Sequence, residues 1–400
     1  MEIKPRYLVM VTANNNNKYY KQIPHGDTWT AEYGRVGAAP QKAEYPMSCY
    51  ETKYREKIRK GYVDQSDLVE DLIQKEKPKS SIEYRKIENE IIAKIVERLQ
   101  DMARKSIAAN YNISSDKVTQ AMVDEAQKLL VSLLNIDKLN DFNELLLKLF
   151  ETIPRRMDNV LNYLAKDTSD FSKIIDREQN TLDVMKGQVI QKQIVENIEP
   201  DNIENNTILE CMGLQFEECT EEDIKIIKKA LGESKSKFLN AWKVINNKTQ
   251  TRFDEFVKSN NIKNRKLLFH GSRNENWWSI ISTGLVLKPT NAVITGKMFG
   301  YGTYFAPKAQ KSIGYTSMGY WTRGNADTGF MALMDVAYGT PYDVHSFDSK
   351  YYNFNYDRLQ KECPGANCLH AHAGAMLKND EIVIYREDQC TIKYLIEIKN

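Results

Sequence analysis

The residues best equipped for chemistry in this 400-residue chain crowd into its last third. His270-Gly271-Ser272 comes first, and Gly300-Tyr301-Gly302-Thr303-Tyr304-Phe305-Ala306 follows. Lys311-Ser312-Ile313-Gly314-Tyr315 is next, and Asn379-Asp380-Glu381-Ile382-Val383-Ile384-Tyr385 lies near the end. These clusters do not spell the common catalytic motifs. Gly300-Tyr301-Gly302 meets Phe305 where a dinucleotide-binding G-x-G-x-x-G needs glycine, no G-x-x-x-x-G-K-[ST] occurs, and His270-Gly271-Ser272 is not a nucleophile elbow. A Rossmann or P-loop enzyme is therefore not expected. Cys363, Cys368, His370 and His372 gather soft ligand types within ten residues. Their C-x4-C-x-H-x-H spacing is not a zinc pattern, because H-x-H on a strand turns both imidazoles to one face while the cysteines fall in a Gly/Pro loop. No metal is expected.

Periodicity indicates what must hold these residues. Beyond Arg265, apolar runs predict strands at Lys266 to Phe269, Gly329 to Val336, Glu381 to Tyr385 and Ile392 to Ile398, with His270 directly after the first. The segment 205–400 is thus expected to be an α+β domain rich in antiparallel sheet. Ahead of it, residues 82–195 carry a 3.6-residue period: Ile87, Ile91, Ile95 and Leu99, then Val118, Met122, Leu129 and Leu133, then Leu139 to Phe150 stopping before Pro154. Ser114-Ser115-Asp116 offer caps for the second helix. Residues 1–66 alternate short strands and turns before a helix marked by Tyr50, Tyr54 and Ile58, and 67–81 read as a linker. The fold class is multidomain α+β, with an all-α middle.

Length implies two or three cores, and 42% apolar with 28% charged residues excludes a disordered chain. The absence of long apolar runs, signal pattern or lipidation motif argues for a soluble protein with no membrane partner. Six scattered cysteines suit a reducing compartment. Residues 1–60 hold eleven Lys/Arg against six Asp/Glu, a balance of +5 within a chain of net charge +2. That asymmetry favours an anionic partner at the N-terminus.

Taken together and in order, Leu268-Phe269-His270-Gly271-Ser272, Thr295-Gly296-Lys297-Met298-Phe299-Gly300 and Gly302-Thr303-Tyr304-Phe305-Ala306 resemble the poly(ADP-ribose) polymerase family, in its His-Tyr-Glu class of ADP-ribosyltransferases. Asn15 to Tyr20 and Tyr33-Gly34-Arg35-Val36-Gly37 resemble a WGR domain, and 82–195 the family's regulatory helical domain, in the layout of the shorter DNA-dependent members. The resemblance implies NAD+ as substrate, with Gly271, Ser312, Tyr304 and Tyr315 holding nicotinamide, His270 and Ser272 the adenosine side, and Gly302 within the same pocket. It implies His270, Tyr304 and Glu381 as the catalytic set, Met298 and Lys311 on the acceptor side, and Tyr33 and Arg35 as contacts to nucleic acid. Tyr33 stands where the WGR name has Trp, and Val286 where many members carry Arg. The activity implied is transfer of ADP-ribose to protein acceptors, the enzyme itself among them, activated by DNA ends or breaks. The alternatives are mono-ADP-ribosyl transfer and a silent DNA-binding protein. Localisation would be nuclear in a eukaryote and cytoplasmic, near the nucleoid, in a bacterium.

Overall fold

The apolar run Tyr7 to Val11 forms the heart of β1 (Arg6–Thr12). In the computed structural model, which describes residues 3–69, 84–110, 118–196, 205–287, 298–374 and 377–400, this strand belongs to a five-stranded antiparallel sheet. Its order is β4-β3-β2-β1-β5, with β2 (Asn16–His25), β3 (Thr28–Arg35), β4 (Gln41–Pro46) and β5 (Val63–Asp64). The polar tract before β2 makes the turn, with Asn15 at φ 60°, a left-handed conformation that asparagine tolerates. One face of the sheet buries Leu8, Tyr20, Trp29 and Ala31 against Tyr50 of α1 (Tyr50–Arg59). Fully buried Trp29 also stacks on Tyr45 at 5.0 Å.

Between Glu90 and Glu196 the long regular elements are helices: α2 (Glu90–Asn110), α3 (Gln120–Leu133), α4 (Leu139–Thr152) and α5 (Phe171–Glu196). Thr119 caps α3, its hydroxyl accepting from the Met122 N–H at 3.2 Å. The expected caps Ser114 to Asp116 lie outside the described residues. Helix α3 buries Met122, Val123, Ala126, Leu130 and Leu133, α4 buries Phe142, Leu146, Leu149 and Phe150, and Phe142 stacks on Phe171 at 3.8 Å. The chain falls into two compact units, Met1–Ser81 with Arg104–Val189, and Ile82–Ala103 with Ile190–Asn400. The helical segment 82–195 is thus shared between two units.

The second unit holds two sheets. The larger has the order β6-β7-β14-β10-β8 and is antiparallel throughout: β6 (Leu214–Glu218), β7 (Phe238–Asn246), β8 (Lys266–Gly271), β10 (Thr328–Val336) and β14 (Cys390–Lys399). The smaller has the order β11-β12-β13-β9, from β9 (Thr303–Phe305), β11 (Pro341–Val344), β12 (Cys368–Ala371) and β13 (Glu381–Ile384), with only β11 and β12 parallel. Strand β10 is buried from Gly329 to Val336, as its continuous apolar run requires. Phe269, Met331, Leu333, Tyr394 and Ile396 fill one core, and Phe299, Leu369, Val383 and Tyr385 another. Strand β8 runs two residues beyond its apolar run. His270 pairs with Ala332 and Gly271 with Met331, so both sit inside the ladder. No helix among the described residues is long and apolar enough to cross a membrane.

Candidate active site

Each sheet of the second unit ends in a strand that carries site residues. β8 is the edge of the larger sheet and β9 the edge of the smaller. Phe269 and Ala306 join them, each N–H donating to the other's carbonyl at 2.9 Å. His270 and Tyr304, 34 positions apart, are thereby brought together: His270 Nδ1 lies 3.0 Å from the Tyr304 carbonyl. A carbonyl only accepts, so Nδ1 carries the proton and Nε2 is left as an acceptor. Desolvation lowers the His270 pKa, the hydrogen bond to Tyr304 opposing it, and the imidazole is neutral at pH 7.

Gly271 sits where helix α6 (Ala309–Ile313) crosses the end of β8. A Cβ at 271 would stand 2.0 Å from the Ser312 carbonyl oxygen, so only glycine permits this approach. Ser312 is buried beside it. The Ser272 hydroxyl accepts from Asn276 Nδ2 at 3.0 Å, and its carbonyl accepts from the Trp277 indole at 3.3 Å. Gly302 is equally confined, since a Cβ there would meet Val383 Cγ1 at 2.3 Å.

The Tyr304 hydroxyl donates to the Gly300 carbonyl at 2.9 Å and accepts from the Phe299 N–H at 3.1 Å. Burial pushes this phenol far above its ordinary pKa, the Phe299 N–H opposing, with the Glu381 carboxylate and repulsion from an ionising Tyr315 adding to the rise. Burial also raises Tyr315, Glu381 again adding. Both phenols stay neutral at pH 7, and Glu381 lies within electrostatic range of each. Glu381 is the first residue of β13, two positions ahead of Val383, the cross-strand partner of Tyr304. Its Oε1 lies 2.6 Å from Lys311 Nζ, with side chains only 8% and 14% exposed respectively.

The structure gathers His270, Gly271, Ser272, Gly302, Tyr304, Lys311, Ser312, Tyr315 and Glu381 in one region of the second unit. Met298 packs, half-buried, against the Phe299 core, and Val286 is exposed. Thr295 to Lys297 lie outside the described residues. Tyr33 and Arg35 belong to the first unit. Tyr33 packs on Tyr20 at 5.9 Å, and the Arg35 guanidinium donates to Asn15 and to the carbonyls of Met157 and Asp158 at 2.9–3.0 Å. Sequence reasoning missed Trp321, whose indole stacks on Tyr315 at 6.5 Å with planes 25° apart. The available signal was the Tyr320-Trp321 pair, 82% and 66% exposed.

These groups can stack on a planar ring, bind polar hydroxyls through a neutral imidazole, and place a carboxylate near a centre that becomes positive. Residues 221–400 match the poly(ADP-ribose) polymerase catalytic domain. The chain is 33% identical over 204 residues to uncharacterized protein 101L of Invertebrate iridescent virus 6, covering 50% of this chain and 82% of that one. It is 32% identical over 154 residues to putative poly [ADP-ribose] polymerase-like 100L of the same virus, covering 38% of this chain and 80% of that one. A third relative, poly [ADP-ribose] polymerase 1 of Danio rerio, is 23% identical over 354 residues, 84% of this chain and 33% of the relative. The fold and site thus define an enzyme that takes NAD+ as substrate and transfers ADP-ribose. The chain belongs to the poly(ADP-ribose) polymerase family.

Proposed function

We propose that this enzyme extends poly(ADP-ribose) on protein acceptors, itself included, and that nucleic-acid ends held by residues 1–66 switch it on. The observation that carries the reading is the buried Glu381 carboxylate, on β13 beside Tyr304 and paired with Lys311 at 2.6 Å. The bond that breaks joins nicotinamide to the ribose anomeric carbon. Its electron pair leaves with nicotinamide, and the carbon becomes oxocarbenium-like until an acceptor hydroxyl attacks, forming the new C–O bond and releasing its proton to solvent. Tyr304 and Tyr315 stack on the departing ring while Gly271 and Ser312 hold its carboxamide. His270 and Ser272 bind the adenosine side, and Gly302 leaves the room that a side chain would take. Glu381 accepts from the nicotinamide-ribose hydroxyl, steadies the positive carbon and orients the incoming hydroxyl. Lys311 and Met298 line the approach of the acceptor.

In this reading 1–66 is the WGR-like unit, 82–195 the regulatory helical domain and 205–400 the catalytic domain. The regulatory segment restrains turnover until DNA binds the open state better, by a coupling of about 1–3 kcal/mol or more. A contact inside the second unit supports it: Arg98, from α2, reaches the buried Glu397 of β14 at 2.6 Å. Incubation with labelled NAD+, with and without broken DNA, tests the whole reading on a gel. A DNA-dependent ladder is expected. A single band would mean mono-ADP-ribosyl transfer, and no product a silent DNA-binding protein.

A further inference from the structure

The smaller sheet assembles a second group of side chains, apart from the residues assigned to NAD+. Strands β11 and β12 run parallel with Asp343 in register with His370. His372 follows just past β12, its N–H donating to the Val344 carbonyl at 2.9 Å. Asp343, His370 and His372 each offer one ligand atom, and all three atoms lie within 4.8 Å of one another. His372 Nε2 is 2.7 Å and His370 Nδ1 3.8 Å from the same Asp343 oxygen. Ligand bonds of about 2.0–2.2 Å in a tetrahedron put donor atoms about 3.3–3.6 Å apart, a spacing that these two distances bracket. The imidazoles of His370 and His372 stack at 4.0 Å, and His345 stacks on His372 at 4.4 Å.

The second nitrogen of His370 supplies an independent argument. His370 Nε2 lies 3.0 Å from Asp380 Oδ2, and Asp380 Oδ1 accepts from the Ala373 N–H at 2.8 Å. A carboxylate on Nε2 fixes the proton there and leaves Nδ1 as an acceptor, which meets the Tyr338 hydroxyl at 2.8 Å and lies 3.8 Å from Asp343; an ion would take the place of that hydroxyl on the Nδ1 lone pair. A ligating histidine is oriented in the same way by a carboxylate on its other nitrogen. Two imidazoles and one carboxylate suit a borderline divalent ion, zinc foremost.

We propose that Asp343, His370 and His372 bind one zinc-class divalent cation, which clasps β11 to β12 and, through Asp380, steadies the start of β13 beside Glu381. This departs from the expectation drawn from cysteine spacing, because the third ligand comes from a neighbouring strand. Cys368 instead directs its thiol to the Tyr338 carbonyl at 3.3 Å, inside the sheet. The ion positions strands, and ADP-ribose transfer needs nothing from it.

The test uses the full chain, stripped with chelator, recharged with Zn2+ or Co2+ and desalted, with bound metal measured by mass spectrometry and Co2+ ligation by visible absorption. The parent should retain one equivalent. Asp343→Asn and His372→Ala should bind at least tenfold more weakly while keeping the parent's metal-free circular dichroism and melting temperature. Asp380→Asn should lose about 10–100-fold through the freed imidazole. A parent that retains no metal overturns the proposal, as does retention in Asp343→Asn and His372→Ala as tight as in the parent.

Discussion

Replacing Glu381 by Gln separates charge from shape at the centre of the site. The amide fills the same volume and its carbonyl still accepts from Lys311, now 2.6 Å from the carboxylate. In the proposed mechanism, what is lost is the negative charge facing a ribose carbon that turns positive as nicotinamide departs. Removing one stabiliser of that kind from a preorganised site costs about 10²–10³ in rate, or about 2.7–4 kcal/mol. Stability should change far less. Because Lys311 stays charged, its bond to the amide oxygen keeps part of the about 1.5–3 kcal/mol of a hydrogen bond to a charged group, and the fold loses about 1 kcal/mol. For a unit of this size that lowers the melting temperature by about 2–4 °C. NAD+ affinity, which the same proposal assigns to Gly271, Ser312 and the two tyrosines, should hold. Three measurements decide it: chain extension on a gel, NAD+ titration by calorimetry, and a thermal scan. Extension at the parental rate would refute the role given to Glu381. A melting temperature lowered enough to unfold the protein at assay temperature would refute the separation of charge from shape.

Tyr315→Ala removes a stacking face and should weaken NAD+ binding by about 5–150-fold, corresponding to about 1–3 kcal/mol of stacking; unchanged affinity in calorimetry would place the ring elsewhere. His270 has a folded pKa below its unfolded value of about 6.5. Its contribution to stability is therefore complete above pH 6.5 and is lost as pH falls through the folded pKa. Melting temperature should drop between pH 7 and 5 more steeply in the parent than in His270→Asn, and parallel curves would contradict this. Arg98→Ala strands the Glu397 carboxylate, 4% exposed. Because Arg98 is itself 39% exposed, the loss should fall at the low end of the buried-pair range, about 3 kcal/mol. A melting temperature within 1 °C of the parent's, below the roughly 2–4 °C expected per kcal/mol, would show the pair to be dispensable.

What could be read in advance was whatever the chain writes locally. The runs at Lys266 and Gly329 announced β8 and β10 because strands covered on both faces are apolar without interruption. The 3.6-residue stripe of Leu139 to Phe150, closed by Pro154, matched α4 almost to the residue. Pairings across long separations were not legible. Lys311 and Glu381 are 70 residues apart and meet only because α6 and β13 converge. Asp343 does not stand out in the sequence, since the two histidines it meets arrive through a parallel pairing 27 residues later. Arg35 reads as a free cation in Gly34-Arg35-Val36-Gly37, yet its acceptors on Met157 and Asp158 are more than 120 residues away. Strand β8 runs on through His270 and Gly271, which carry no strand propensity, because the ladder to β10 overrides it.

The reciprocal pair of hydrogen bonds between Phe269 and Ala306 is also a gauge of occupancy. Exchange of either amide with solvent requires the two sheet edges to part, and NAD+ held as proposed, by β8 on one side and β9 on the other, must leave before they do. NAD+ at a hundred times its dissociation constant should therefore slow exchange at both amides by about a hundredfold. Amides in the middle of the buried β10, expected to open only on global unfolding, would report the same ligand through the stability of the whole unit. Comparing the two sites would reveal whether substrate tightens the seam alone or the entire fold around it.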